Sequence, residues 1–76
     1  MPHVIVKLTT GRSEQLKQEI AAAVTAAVAS SANLSDDLVS VSIEEFEQAD
    51  WADKVFKPDI TDKPATLYKK PGYTPG

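Results

Sequence analysis

Cysteine is absent from this 76-residue chain, and histidine occurs once, as His3. The first absence excludes a disulfide framework, thiol chemistry and a thiolate metal site. The second argues against a histidine-built zinc site. No long apolar run is present and no basic segment leads into an apolar one, so neither a membrane span nor a signal peptide is expected. Lysine and arginine number 8 against 11 aspartates and glutamates, and the net charge of −3 speaks against a phosphate-backbone partner. A cytoplasmic protein without a nucleic-acid or membrane partner is the expectation. The length allows one domain at most, near the lower limit for a self-sufficient core. With no disulfide and no metal to compensate, oligomerisation is the natural way to bury enough apolar surface.

What is present is patterned. "HVIVKLT" (3–9) is rich in β-branched residues; Val4, Val6 and Leu8 share one face and His3, Ile5, Lys7 and Thr9 the other, which is strand periodicity. "TTGRSEQ" breaks it, with Gly11 as a turn residue, Ser13 as N-cap and Glu14 in the first turn of a helix. Leu16, Ile20, Val24 and Val28 then recur every fourth residue with Ala23 and Ala27 beside them, and Asn33 is the expected left-handed cap. In "LVSVSIEE", Val39, Val41 and Ile43 oppose Ser40, Ser42 and Glu44. Strand, helix and strand with short joints predict a βαβ unit with parallel strands and a right-handed crossover. Two strands are too few to stand alone, so a second subunit is expected to complete the sheet.

From Phe46 onward the pattern weakens. "ADWADKVF" predicts a short helix capped by Asp50, with Trp51, Val55 and Phe56 as its apolar positions. Pro58 and Pro64 are expected to prevent one long helix. "TDKPATLYKK" reads as a second helical segment, with Lys69 and Lys70 at its C-terminal end beside the negative pole of the dipole. The chain is thus an α/β protein of one domain over 1–76: a β-α-β core (2–45), short helices (46–70) and an irregular tail (71–76).

Four residues invite a chemical reading. Pro2 opens the first strand, where a missing amide donor is tolerated, and it can be simply a strand-start residue. If Met1 is removed, Pro2 instead owns a free secondary amine. A water-poor pocket disfavours its charged form, and full burial lowers such a pKa by up to ~3–5 units, towards the range useful to a general base. Arg12, beside Gly11, can grip a carboxylate with two parallel hydrogen bonds or can be a solvated loop residue. Trp51 can line an apolar pocket or anchor a core or interface, and the two are compatible. His3 reads as a packing or surface residue.

Pro2 opening the strand, "GRS" opening the helix, the amphipathic helix and "VSVSIEE" together resemble the 4-oxalocrotonate tautomerase family over residues 2–51. "LYKKPGY" looks like the PptA-type branch. The resemblance implies that Pro2 is the general base, moving a proton between oxygen and carbon of an enol, and that Arg12 binds the substrate carboxylate. It places Trp51 where an aromatic residue keeps the pocket apolar. A second arginine of the type member falls on Ser40, which cannot polarise a carbonyl as a guanidinium does. Where the type member ends in a hairpin that helps build a hexamer, this chain has the "WADKVFKP…LYKKPGY" segment, similar to relatives that form dimers.

The expected function is therefore cofactor-free tautomerisation of a small 2-oxo or enol acid by a homo-oligomer, a dimer in preference to a hexamer. Pro2 and Arg12 are the expected catalytic residues and Arg12, Ser40 and Trp51 the substrate-binding ones, with no metal. A decarboxylase or dehalogenase on the same scaffold is an enzymatic alternative. A non-catalytic oligomeric module that binds a small acid or a partner chain is the alternative of another class.

Overall fold

The alternation in "HVIVKLT" becomes strand β1 (His3–Thr9), and "SVSIEEF" becomes strand β2 (Ser40–Phe46). The computed structural model describes residues 1–75. The two strands pair in parallel, His3 opposite Ser40 and Thr9 opposite Phe46. The ladder is extended at both ends, where Ser40 N–H donates to Pro2 O (3.2 Å) and Thr10 N–H to Phe46 O (3.0 Å). Phe46 therefore belongs to the strand, one residue further than the β-α-β core read from the sequence.

Helix α1 (Glu14–Ala32) connects the strands as the crossover. Its ends are where the local chemistry puts them. Ser13 Oγ accepts from Leu16 N–H at 3.1 Å, which satisfies one of the orphan donors of the first turn. Gly11 holds φ of 118° in the preceding loop, a conformation that a side chain would strain. At the other end Asn33 adopts φ 56° and ψ 52°, and Leu34 N–H donates back to Ala29 O at 2.8 Å.

Lys17 fixes α1 against β2 through Glu45 (2.8 Å), with Glu14 also in reach (3.1 Å). Both carboxylates hydrogen-bond the ammonium, Glu45 foremost, and hold its pKa above the usual lysine value. The pair shows that α1 covers the face of Val41, Ile43 and Glu45. The inward stripe of α1 is Ile20, Val24 and Val28 flanked by Ala21, Thr25 and Ala29, whereas Ala23 and Ala27 are exposed. The expected flank was therefore the wrong one. The fourfold spacing marks the stripe, but the crossing direction over β2 decides which neighbours accompany it. Leu16 is left exposed.

The C-terminal part departs further from expectation. Gln48–Asp50 forms a 3₁₀ turn, and Ala52–Thr61 winds as a wide π-type helix with Pro58 inside it. Asp50 caps nothing; its carboxylate pairs with Lys54 one turn on, at 3.3 Å. Pro58 does not stop the helix because the winding is not α-helical. An α-helical turn would drive its ring into the carbonyl four residues back, and the wider turn relieves that clash. The five-residue bond survives at the end, where Asp62 N–H donates to Lys57 O at 2.9 Å.

The second helical segment read in "TDKPATLYKK" is reduced to the single 3₁₀ turn Pro64–Thr66. No helix reaches Lys69 and Lys70, so neither lies beside a helix dipole. Three residues carry no stripe and nucleate nothing longer. Of the 71–76 tail, the described residues are irregular, and Gly76 lies outside them. Lys7, on the sheet face opposite α1, pairs with Asp59 of the π-helix and holds its ammonium 5.8 Å over the Phe46 ring. The C-terminal segment thus sits at the far face of the sheet, near the C-terminal end of β1. Among the described residues no helix is long and apolar enough to cross a membrane.

Candidate active site

The loop after β1 and the start of the π-helix meet at one end of the sheet. Arg12 Nη1 donates to Thr9 O (2.7 Å) and lies 3.3 Å from Thr9 Oγ1, so the guanidinium folds back over the strand end. Among the described residues it bonds neutral oxygens only, and most of its five N–H donors are uncommitted. Trp51 lines the same groove as Arg12. Its ring meets Phe46 edge to face (centroids 6.4 Å apart), and its Nε1–H donates to Tyr73 Oη at 2.9 Å. Tyr73 in turn packs edge-on against Phe56 at 5.6 Å.

An open groove of about 400 Å³ lies between these groups, lined by Lys7, Thr9, Arg12, Gln48, Trp51 and Tyr73 together with Leu8. Its lining combines a cation that has free donors with two aromatic rings, a set suited to an anion. Lys7 adds positive charge, but its ammonium is already engaged by Asp59 and Phe46.

Pro2 and Ser40 lie at the other end. The Pro2 carbonyl accepts from Ser40 N–H, and Ser40 Oγ lies 2.7 Å from His3 Nδ1. Met1 extends beyond them, 97% exposed. The seven residues of β1 at about 3.3 Å each put roughly 20 Å between the two ends. One chain therefore brings Arg12 and Trp51 together, and separately Pro2 and Ser40, but it does not bring the two pairs to one another.

Sequence reasoning passed over Tyr73, Gln48 and Lys7. Tyr73 stood in an irregular Pro/Gly segment, and its one signal was a lone aromatic amid turn residues. Lys7 carried a signal of its own, a long cation on the strand face that the crossover helix leaves open. His3 is exposed, as a surface residue would be, but it is tied to Ser40 rather than packed.

Fold and groove together define a small α/β subunit of the β-α-β kind, with an anion-suited, aromatic-walled cleft at the C-terminal end of β1. Comparison with known proteins gives this class its family. The "Tautomerase enzyme" family model matches residues 2–56. A probable tautomerase from Xylella fastidiosa is 42% identical over 73 residues, covering 96% of this chain and 89% of that protein. Tautomerase PptA from Pectobacterium carotovorum is 39% identical over 75 residues, covering 97% and 99%. Among solved structures, a 4-oxalocrotonate tautomerase isozyme from Methylibium petroleiphilum superimposes with a TM-score of 0.61 at 29% identity, over 63% of this chain and 75% of that one. An apo unfused 4-OT shares the fold with a TM-score of 0.63 at 24% identity, over 64% and 80%. The chain belongs to the tautomerase family, in its 4-oxalocrotonate tautomerase group and among relatives of the PptA kind. These are isomerases, and membership supports a tautomerase activity.

Proposed function

We propose that this protein is a cofactor-free tautomerase of small 2-oxo or enol acids, in which Pro2, freed by removal of Met1, is the general base. The Pro2 nitrogen takes the enol proton and returns it to carbon, and Arg12 holds the substrate carboxylate through two N–H donors. Ser40 contacts the substrate at the Pro2 end, and Trp51 excludes water. The observation that supports this reading is the match of the tautomerase family model over residues 2–56, a span that includes both Pro2 and Arg12.

The separation of the two pairs of residues gives the active unit its form. A two-fold pairing of antiparallel subunits sets the Pro2 end of one β1 beside the Arg12 and Trp51 end of the other. The exposed surface favours such pairing. Among the described residues only Ala29 and Val55 are buried, Ile5 remains 51% exposed, and a two-stranded sheet leaves both outer edges unpaired. The proposed assembly is a homodimer rather than a hexamer, with a four-stranded sheet, and the whole chain acts as one domain. A cytoplasmic location and a small carboxylate substrate complete the proposal, with no nucleic-acid or membrane partner.

The test compares protein that has lost Met1, verified by intact mass, with protein that retains it. Turnover of the enol form of phenylpyruvate is expected only from the first. Equal turnover by the second would sink the mechanism. A second reading, a binding module without turnover, is favoured by Ser40 standing where a guanidinium would polarise the carbonyl. It predicts ligand binding with no proton exchange at the substrate carbon.

A further inference from the structure

Beside Pro2 stands a pair of side chains of which one, His3, has no task in the proton transfer proposed above and the other, Ser40, has only an unspecified contact with the substrate. His3 and Ser40 are register partners in the ladder, and their Nδ1 and Oγ atoms lie 2.7 Å apart. Both residues are exposed, so the Ser40 hydroxyl is presented at the open face of the sheet. The same Ser40 donates its N–H to Pro2 O at 3.2 Å. A residue's nitrogen lies within about 3.6 Å of its own carbonyl oxygen. The Pro2 nitrogen and the Ser40 hydroxyl are therefore within reach of one small molecule.

Tautomerisation places demands on two atoms of the substrate. Carbon must receive a proton, and oxygen must carry negative charge while that proton is on the base. Pro2 answers the first demand only. We propose that Ser40 is the catalytic hydroxyl that donates to the substrate oxygen, and that His3 is its positioning residue. The proposal rests on Pro2 acting as the base at this end of the sheet.

The proposed role requires one direction of this bond, His3 as donor and Ser40 as acceptor. A hydroxyl has one hydrogen and two lone pairs. If Ser40 gave its hydrogen to His3, none would remain for the substrate. His3 Nδ1–H donating to Ser40 Oγ leaves that hydrogen free and points it away from the imidazole. When Pro2 removes the enol O–H proton, the bonding pair stays on oxygen, and the Ser40 hydrogen stabilises the enolate. The pair then forms C=O as the C=C electrons take the proton from Pro2 nitrogen onto carbon. Ser40 and His3 exchange no proton, so the step balances with substrate and Pro2 alone. The cross-strand pair thereby supplies, with a neutral donor chain, the oxygen-side contact that a guanidinium would otherwise make.

Four variants and one control test this on the enol form of phenylpyruvate. Ser40→Ala is expected to lower kcat about 10²-fold, the scale for losing one oxyanion donor, with KM nearly unchanged. Ser40→Thr keeps a hydroxyl and should restore most of the rate. His3→Asn keeps an N–H close to the Nδ1 position and should exceed His3→Leu. Pro2→Ala is run beside them. If Pro2→Ala turns over as fast as the parent, the base reading fails. If Pro2→Ala is slow while Ser40→Ala keeps the parental kcat, the base stands and the hydroxyl role is overturned. If Ser40→Thr and Ser40→Ala are equally slow, the hydroxyl is likewise not the operative group.

Discussion

Trp51 and Tyr73 are 22 residues apart in the chain and joined by one hydrogen bond, indole Nε1–H to phenol Oη at 2.9 Å. That bond turns a residue of the irregular C-terminal segment into a wall of the groove that also holds Arg12. The indole is thereby held by a polar tether as well as by its edge contact with Phe46.

Tyr73→Phe removes the acceptor and keeps the ring against Phe56. A neutral hydrogen bond of this kind is worth about 1 kcal/mol net, so KM for an aryl substrate should rise about fivefold with kcat nearly unchanged. Steady-state kinetics on the enol form of phenylpyruvate check it. A collapse of kcat instead would mean that Tyr73 touches the reacting atoms.

Arg12→Ala should lower kcat/KM for a carboxylate substrate by about 10- to 100-fold, the cost of losing a charge-assisted pair. The fold should be unaffected because the loop is exposed. Mixing supplies a sharper form of the test. Pro2→Ala and Arg12→Ala subunits, each nearly inactive alone, should regain about one quarter of parental activity after exchange, since half the dimers are mixed and each mixed dimer holds one intact site. No regain with demonstrated exchange would place Pro2 and Arg12 of one chain in the same site, against their placement at opposite ends of β1.

Lys17 carries a pH signature in stability rather than in rate. Its ammonium is held above the ordinary lysine pKa by Glu45 and Glu14 in the folded chain. A group whose folded pKa is raised contributes stability that is fully present below the unfolded pKa and lost as pH rises through the folded one. The urea midpoint of the parent should therefore exceed that of Lys17→Met at neutral pH, and the difference should shrink at strongly alkaline pH. A gap that widened with alkalinity would contradict the pairing.

The β-α-β core was legible because its signals are local. Ser13 and Asn33 mark the ends of α1 through their own backbone and side-chain chemistry, and the period-two alternation of Val4, Val6 and Leu8 needs no partner to be read. The choice between Ala21 and Ala23 as flank was not local, since it depends on how α1 crosses β2. Pro58 misled for a related reason: the rule that proline ends a helix assumes α-helical winding, and this segment winds wider. Arg12 and Trp51, both singled out in the sequence, line one groove, but the pairing of Trp51 with Tyr73 was not legible there. A single aromatic in a Pro/Gly segment has no periodicity to show where it packs. The gap between Pro2 and Arg12, by contrast, was legible, since the two residues flank a strand of seven residues in the sequence.

Pro2 is proposed to be a base with a depressed pKa, and the titration of its own nitrogen decides the matter. Protein labelled with ¹⁵N-proline and verified to lack Met1 can be followed by NMR across pH, beside the pH dependence of enol-to-ketone turnover. The nitrogen should titrate clearly below an exposed prolyl amine, and turnover should rise with the same midpoint. Pro2→Ala should slow proton transfer by about 10²- to 10⁴-fold, the usual worth of a positioned general base. An amine that titrates like an exposed one, with the Pro2→Ala rate unchanged, would rule out Pro2 as the base and leave it as a residue that merely starts a strand.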